Sequence, residues 1–473
     1  MSRVACHLPG GGASSVSQID AAVEYLRQHR QEHLEWVRAL CRIPSISTQD
    51  AHQQDVRRAA EWTRDLCKRI GLQHVEVHET ARHPLVYADW CKAAPGAPTY
   101  LVYGHVDVQP EGERKLWDAD PFDPVVRGEW LICRGSADDK GQVLLYLRAA
   151  QAWLQTAGKL PINLKFLIEG EEEIGSPSLP PFVKTHRDLL LCDGVLISDT
   201  GMYEDGLPTI TYGTRGLSYK EIRLRGPKHN LHSGQHGGPV VNPADALARI
   251  IASLHDEHGR VTIPGFYDGV MDLFPEERRQ FAALPFDEKR YAADLGVPAL
   301  VGGEQEFTVN ERRWVRPTLD VNGVYGGYMA EGASTVIPAM AGAKVSMRLV
   351  PNQSAEEISR SFEEAVLARC PAGVRMEILD HTCADPYVTP LEWKAMHAAK
   401  TALKEAFGRE TVFVREGGTL PILPMFRQVL HADSLMLGFA SPHCNAHGPN
   451  EKARLPDLDR GAEAIARLFA LLG

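Results

Sequence analysis

Residues 162–176 read INLKFLIEGEEEIGS. Ile162 to Ile168 is a short, mostly apolar run bounded by turn signals, the pattern of a buried strand. It runs directly into Glu169, Glu171, Glu172 and Glu173. Carboxylates packed this closely repel and disfavour one another's ionisation. Such a cluster is tolerable in two ways: it is fully solvated, or positive charge sits on it.

The flanking segments have the same character. HPLVYADW (83–90), PTYLVYGHVDV (98–108) and CDGVLISDT (192–200) are short apolar runs, and KGQVLLYLRAAQAWLQTAG (140–158) is a helix closing on glycine. Further helices are expected over Gln18–Ile43 and Asp55–Ile70 from their apolar periodicity. Strands alternating with helices imply βαβ units and a mostly parallel sheet. Past Thr211 the pattern changes. LSYKEIRLRG, NPADALARIIASLH, RPTLDVNGV, AGAKVSMRLVP, SAEEISRSFEEAVLARC and GVRMEILDH follow the order βαββαβ, the ferredoxin-like split motif, with an insertion over roughly 256–315. From about Pro390 the helix and strand alternation returns. The expected architecture is an α/β domain split in sequence, with a smaller α+β domain inserted in its middle.

Bulk properties narrow the function. The chain has 473 residues, 44% of them hydrophobic, which suits two domains. A net charge of −10, with both signs interspersed, argues against nucleic-acid binding. No apolar run reaches the roughly 20 residues a membrane helix needs. The first 18 residues, rich in Gly and Ser, read as a flexible leader without a signal-peptide core. The nine scattered cysteines form no CxxC pair and no disulfide framework, so a reducing, cytoplasmic location is expected.

Ligands in parallel α/β sheets gather at the carboxyl ends of strands. Several such ends carry metal-binding side chains: His105 and Asp107 two apart on one strand, Asp138 and Asp139 before a helix, the glutamates, and Asp199. SPHCNAHGPNE adds His443 and His447 far downstream. Each residue alone has a plain structural reading as a core histidine, a helix cap or a solvated acidic face. Their recurrence at successive strand ends favours a site. Mixed His/Asp/Glu donors suit Zn2+, Mn2+ or Co2+, and a bridging carboxylate would allow two ions. Two ions about 3.5–4 Å apart can activate water, with a further carboxylate as general base.

GHVDVQP, RGSADDKG, EGEEEIGS, ISDT, LHSGQHGG, STVIP, MRLVP, REGGTLP and AHGPNE run in order from about residue 100 to 451. In this the chain resembles the M20 metallopeptidase family, most of all its dipeptidase branch. The resemblance implies a catalytic domain over 19–212 and 388–473 and a lid and dimerisation domain over 213–387. It implies two divalent ions, Zn2+ or Mn2+, one on His105, Asp138 and Asp199, the other on Asp138, Glu173 and His447. It makes Glu172 the general base and Asp107 an orienting residue; the Asp138–Asp139 peptide is often cis in that family, and the sequence leaves open whether it is cis here. Spacing alone leaves open whether Glu171–Glu172 or Glu172–Glu173 is the working pair; the family pattern selects the second. Cys133 stands where the family loop commonly begins with glycine.

In the lid, the resemblance assigns His232 to the neighbouring subunit's active site, which implies a homodimer. It assigns Arg348 to a substrate carboxylate, with Thr335, Asn242, Thr419 and His381 as further contacts, although the spacing slips by one residue at His381. His229 and His236 read as surface histidines. Glu416 would receive a substrate ammonium. The implied reaction is dipeptide hydrolysis. The alternatives are an N-acyl-amino-acid deacylase or desuccinylase on the same site, a binding protein that has lost its metals, and a hydrolase using Cys444 beside His447.

Overall fold

The computed structural model describes residues 12–473, so most of the expected leader lies outside the described residues. Helices Gly12–Gln28 and Arg30–Cys41 replace the single helix expected from the N-terminal periodicity, the chain breaking at His29. The helix expected over 55–70 spans Gln53–Ile70 and ends on Gly71 in the left-handed conformation.

The chain divides into two compact units. One runs through Tyr212 and resumes over Thr389–Val414 and Met425–Gly473. Its central sheet contains β1 (Gln73–His78), β2 (Leu85–Trp90), β3 (Thr99–His105), β4 (Asn163–Glu169), β5 (Gly194–Ile197), β6 (Thr209–Thr214) and β7 (Ser434–Met436), in the order β1-β2-β4-β3-β5-β7-β6. The central β4, β3, β5 and β7 are parallel. β1, β2 and β6 join antiparallel at the flanks. β2 and β5 are buried along their whole length, as their apolar runs demand.

Helix Lys140–Ala157 crosses behind the sheet and is buried from Lys140 to Trp153. Two glycines permit its approach. A Cβ on Gly104 would lie 2.6 Å from Val143 Cγ2, and one on Gly141 would lie 1.9 Å from the Ser136 carbonyl oxygen. These contacts press the end of β3 against the start of the helix. A small antiparallel sheet of Val125–Arg127, Trp130–Ile132 and Lys452–Arg454 was not foreseen; it brings the C-terminal histidine loop to the loop after Ile132.

The second unit comprises Gly213–Val388 with Arg415–Pro424, a stretch counted above with the catalytic part. Its antiparallel sheet has the order Thr318–Gly326, Met340–Leu349, Gly216–Arg225, Arg375–Ala384. With helices Pro243–Ala252 and Ala355–Ala368 this is the expected βαββαβ order. Ile222, Leu224, Val345 and Met347 pack against Leu247, Ile250, Ile358 and Phe362 in one core. Helices Pro275–Ala282, Glu288–Asp294 and Val309–Trp314 occupy the expected insertion. No described helix is long and apolar enough to cross a membrane.

Candidate metal centre

β3 delivers His105, fully buried, at its carboxyl end. The ring Nδ1 lies 3.1 Å from the Asp107 carbonyl oxygen, an acceptor only, so Nδ1 carries the proton in that bond. Nε2 is left facing the cluster, 3.1 Å from Asp138 Oδ1 and 3.9 Å from Asp199 Oδ2. The other oxygen of Asp138 meets His447 Nε2 at 2.9 Å. His447 Nε2 in turn lies 3.3 Å from Glu173 Oε2. Asp138 thus stands between two imidazoles with one oxygen toward each, and the peptide joining it to Asp139 is cis.

Two donor groups result. Ligand atoms of His105, Glu172 and Asp199 lie within 4.8 Å of one another, as do those of Asp138, Glu173 and His447. The first group holds Glu172 where the resemblance puts Asp138; Asp138 lies 3.1 Å from the same imidazole but groups with Glu173 and His447. Hard oxygen donors with imidazole nitrogens and no thiolate fit divalent Zn2+ or Mn2+.

The opening glutamates divide by partner. Glu171 is buried and turned away from the cluster. Its Oε1 accepts from His83 N at 2.7 Å, Ser178 Oγ at 2.9 Å and Thr80 Oγ1 at 3.2 Å, and its Oε2 from Ser178 N at 2.9 Å. Glu169, also buried, accepts from Tyr103 Oη at 2.5 Å and Ser176 Oγ at 2.9 Å. Asp107 holds the loop between them: its carboxylate accepts from the backbone N–H of Glu172 at 3.2 Å and of Glu173 at 3.1 Å. Glu172 and Glu173 are the pair left to face the histidines.

The protonation equilibria record the crowding. Burial pushes the Glu172 carboxyl well above its ordinary range, against the pull of His105 and with added repulsion from Asp199 and Glu173. Burial and Asp138 push Glu173 up to about 7. Burial opposes ionisation of Asp138 too, but hydrogen bonds from His105 and His447 hold its carboxyl below the usual range. A hydrogen bond to Asp138 raises His447. Positive charge at the centre would relieve the repulsion that Glu172 and Glu173 receive from neighbouring carboxylates.

Three neighbours escaped the sequence reading, although each lies in or beside a quoted motif. Gln109 of GHVDVQP donates to Glu173 Oε2 at 2.7 Å. Glu451 of AHGPNE and Arg134, which opens RGSADDKG, form a buried ion pair behind the Asp138 loop. Cys133 fits this loop without strain: it is buried, and its N–H donates to the Glu451 carbonyl oxygen at 3.0 Å. His443 is exposed and belongs to neither donor group. The Cys444 thiol is pushed up by burial, the reverse of an activated nucleophile.

In the second unit, His232 is exposed and caps a short helical turn, its Nδ1 accepting from Gly234 N at 3.1 Å. That bond leaves the proton on Nε2, a donor presented outward. Arg348 Nη1 donates to Thr419 Oγ1 at 2.8 Å, which joins two of the expected substrate contacts. Burial lowers both Arg348 and Arg215, the latter to about 10 with Arg348 and Arg313 adding repulsion. Glu416 is half-buried, and burial raises its carboxyl against the pull of Arg313. Asn242 caps helix Pro243–Ala252 through a bond from Ala244 N, which gives it a structural task. Thr335 is exposed, and its carbonyl oxygen accepts from Ser233 N. His381 bonds Glu221 at 3.0 Å from the extra residue of a β-bulge between Asp380 and Thr382. The bulge coincides with the one-residue slip in spacing.

A parallel α/β sheet whose strand ends gather two His/carboxylate groups around a shared aspartate is the framework of a metal-dependent hydrolase. The model of peptidase family M20/M25/M40 matches residues 101–470, and the chain belongs to that family. The human Beta-Ala-His dipeptidase is 28% identical over 469 residues, covering 95% of this chain and 92% of that protein. The structure of the di-peptidase Dug1p from Saccharomyces cerevisiae superposes with a TM-score of 0.82 at 26% identity, covering 96% of this chain and 98% of that one. That of the M20 family metallo-carboxypeptidase Sso-CP2 from Sulfolobus solfataricus has a TM-score of 0.84 at 31% identity, covering 93% and 99%.

Proposed function

We propose that the protein hydrolyses dipeptides with free termini, using a pair of divalent cations held by His105, Asp138 and Asp199 and by Asp138, Glu173 and His447. The observation that carries this reading is Asp138, whose two oxygens face the Nε2 atoms of two different histidines at 3.1 and 2.9 Å. Bound there, Zn2+ or Mn2+ would supply Lewis acidity and charge opposite a developing oxyanion.

Glu172 is the general base. It removes a proton from the attacking water and returns it to the leaving amine, so that one carboxyl serves both halves of the reaction. A carboxyl raised by burial and like charge is suited to holding that proton between the two steps. Asp107 keeps Glu172 and Glu173 in register through its two backbone hydrogen bonds. Arg348, steadied by Thr419, forks the substrate carboxylate. Glu416 pairs with the substrate ammonium, which an acylated substrate lacks. His232 acts from the lid of a partner subunit in a homodimer, and its Nε2–H polarises the scissile carbonyl. The free thiols among the described residues agree with a cytoplasmic location.

The test is a panel of free dipeptides and their N-acetylated forms, assayed with Zn2+ and with Mn2+. Turnover of the free forms, abolished by chelator and restored by metal, is the expected result. Preference for the acylated forms would overturn the role of Glu416, and full turnover in chelator would overturn the metal centre.

A further inference from the structure

Glu451 and Arg134 are both buried, each with a side chain 1% exposed, and their charges meet at 2.8 Å. Burying two charges is costly unless geometry and further hydrogen bonds compensate. Here nearly every further bond goes to a loop that carries a candidate ligand. Glu451 Oε2 also accepts from Gly135 N at 3.0 Å, and Oε1 accepts from Ala137 N at 2.9 Å and Asp138 N at 3.1 Å. Arg134 Nη2 donates to the carbonyl oxygens of Pro110 at 3.0 Å and His447 at 3.2 Å. The register of the small sheet explains how Glu451 arrives: Lys452 pairs with Ile132, and the Glu451 carbonyl oxygen extends the ladder to Cys133 N.

Backbone N–H groups converging on one anion form a concavity of the kind that binds oxyanions. In this chain the loop 135–138 closes around its own Glu451. The backbone nitrogen of Asp138 is one of the bonded groups, so the carboxylate holds the backbone from which the Asp138 side chain reaches the two imidazoles. The carbonyl of His447 is another, so the arginine fixes the loop that carries the second imidazole.

We propose that Arg134 and Glu451 are positioning residues that fasten the Pro110, Asp138 and His447 loops to one another and thereby determine how tightly the centre holds its cations. The inference rests on the metal reading of the site. Neither residue touches a cation or substrate in this scheme; both act through the ligands.

Three variants test it. Glu451→Gln keeps the shape but offers one oxygen to donors that now use two. Arg134→Lys keeps the charge but cannot reach Glu451, Pro110 and His447 together. Glu304→Gln breaks a buried pair in the other unit, Glu304–Arg316, and controls for general loss of stability. Metal content is measured after dialysis against graded chelator, and the absorption spectrum of the Co2+-substituted protein reports ligand geometry. Glu451→Gln and Arg134→Lys are expected to bind metal about 10–100-fold more weakly with an altered Co2+ spectrum, as outer partners of ligands do. Glu304→Gln should melt lower yet bind metal as the wild type does. Folded Glu451→Gln or Arg134→Lys protein with wild-type affinity and spectrum would overturn the proposal. So would failure of both to fold where Glu304→Gln folds, because the pair would then be a folding requirement. A wild type that binds no metal would instead defeat the metal reading.

Discussion

Adjacent glutamates should respond in opposite ways to the same substitution. Glu171→Gln removes one of two oxygens that together accept from His83 N, Thr80 Oγ1, Ser178 N and Ser178 Oγ. If the amide nitrogen replaces Oε2, the buried N–H of Ser178 loses its acceptor, and the other bonds lose their charge assistance. A hydrogen bond to a charged group contributes about 1.5–3 kcal/mol, so the expected loss is about 3 kcal/mol. In a unit of this size that lowers Tm by roughly 5 °C. Chemistry in the surviving folded fraction should change little, because Glu171 faces away from the histidines. Glu172→Gln has the reverse profile. Burial and like charge raise its carboxyl and disfavour the charged form, so a neutral isostere is expected to leave the metal-free Tm unchanged or higher. It cannot accept the water proton, and kcat should fall about 10^2–10^4-fold, or roughly 3–5 kcal/mol of barrier. Scanning fluorimetry of metal-free protein, metal content and initial rates on one dipeptide measure all of this. Near-normal turnover by Glu172→Gln, or loss of turnover at unchanged Tm by Glu171→Gln, would refute the division of the cluster.

Metal-free protein should lose stability as pH rises from about 5 to about 8. Glu173 and Glu169 have folded-state pKa values raised to about 7 and about 8, so the folded state binds more protons than the unfolded chain across that window, and His447, also raised, acts in the same sense. Metal should restore the melting temperature most at the alkaline end, with release of protons on binding; a flat or rising metal-free profile would contradict this. Arg348→Met should raise KM for a free dipeptide about 10–100-fold, the loss of a charge-assisted pair, and much less for the dipeptide amide; equal effects on both would remove Arg348 from the carboxylate. His232→Gln should lower kcat about 10^2-fold or more with little change in metal content, and mixing it with a Glu172→Gln variant should recover activity if the two residues act across a dimer.

Much of this was legible because it is periodic or local. The apolar runs at 99–105 and 194–197 demanded burial, and the change of pattern after Thr211 marked the inserted unit. The break at His29 was not legible, because apolar spacing continues through it and only the backbone turns. The capping role of Asn242 was open to recognition, since Asn before Pro and an apolar run is an N-terminal helix signal. Gln109 and Glu451 stood within quoted motifs, but nothing local distinguishes a polar residue that supports a ligand from one that faces water.

Residue types and their order along the chain determined the fold class, the inserted unit and the set of candidate metal-binding side chains, because hydrophobic periodicity and donor chemistry are properties of the chain itself. Tertiary structure decided which glutamates face the histidines. Glu171 and Glu172 have the same chemistry and adjacent positions; Thr80, His83 and Ser178 claim the first, and Asp107 turns the second toward His105. Those partners are distant in sequence, so the choice between two identical carboxyls exists only once the chain has folded.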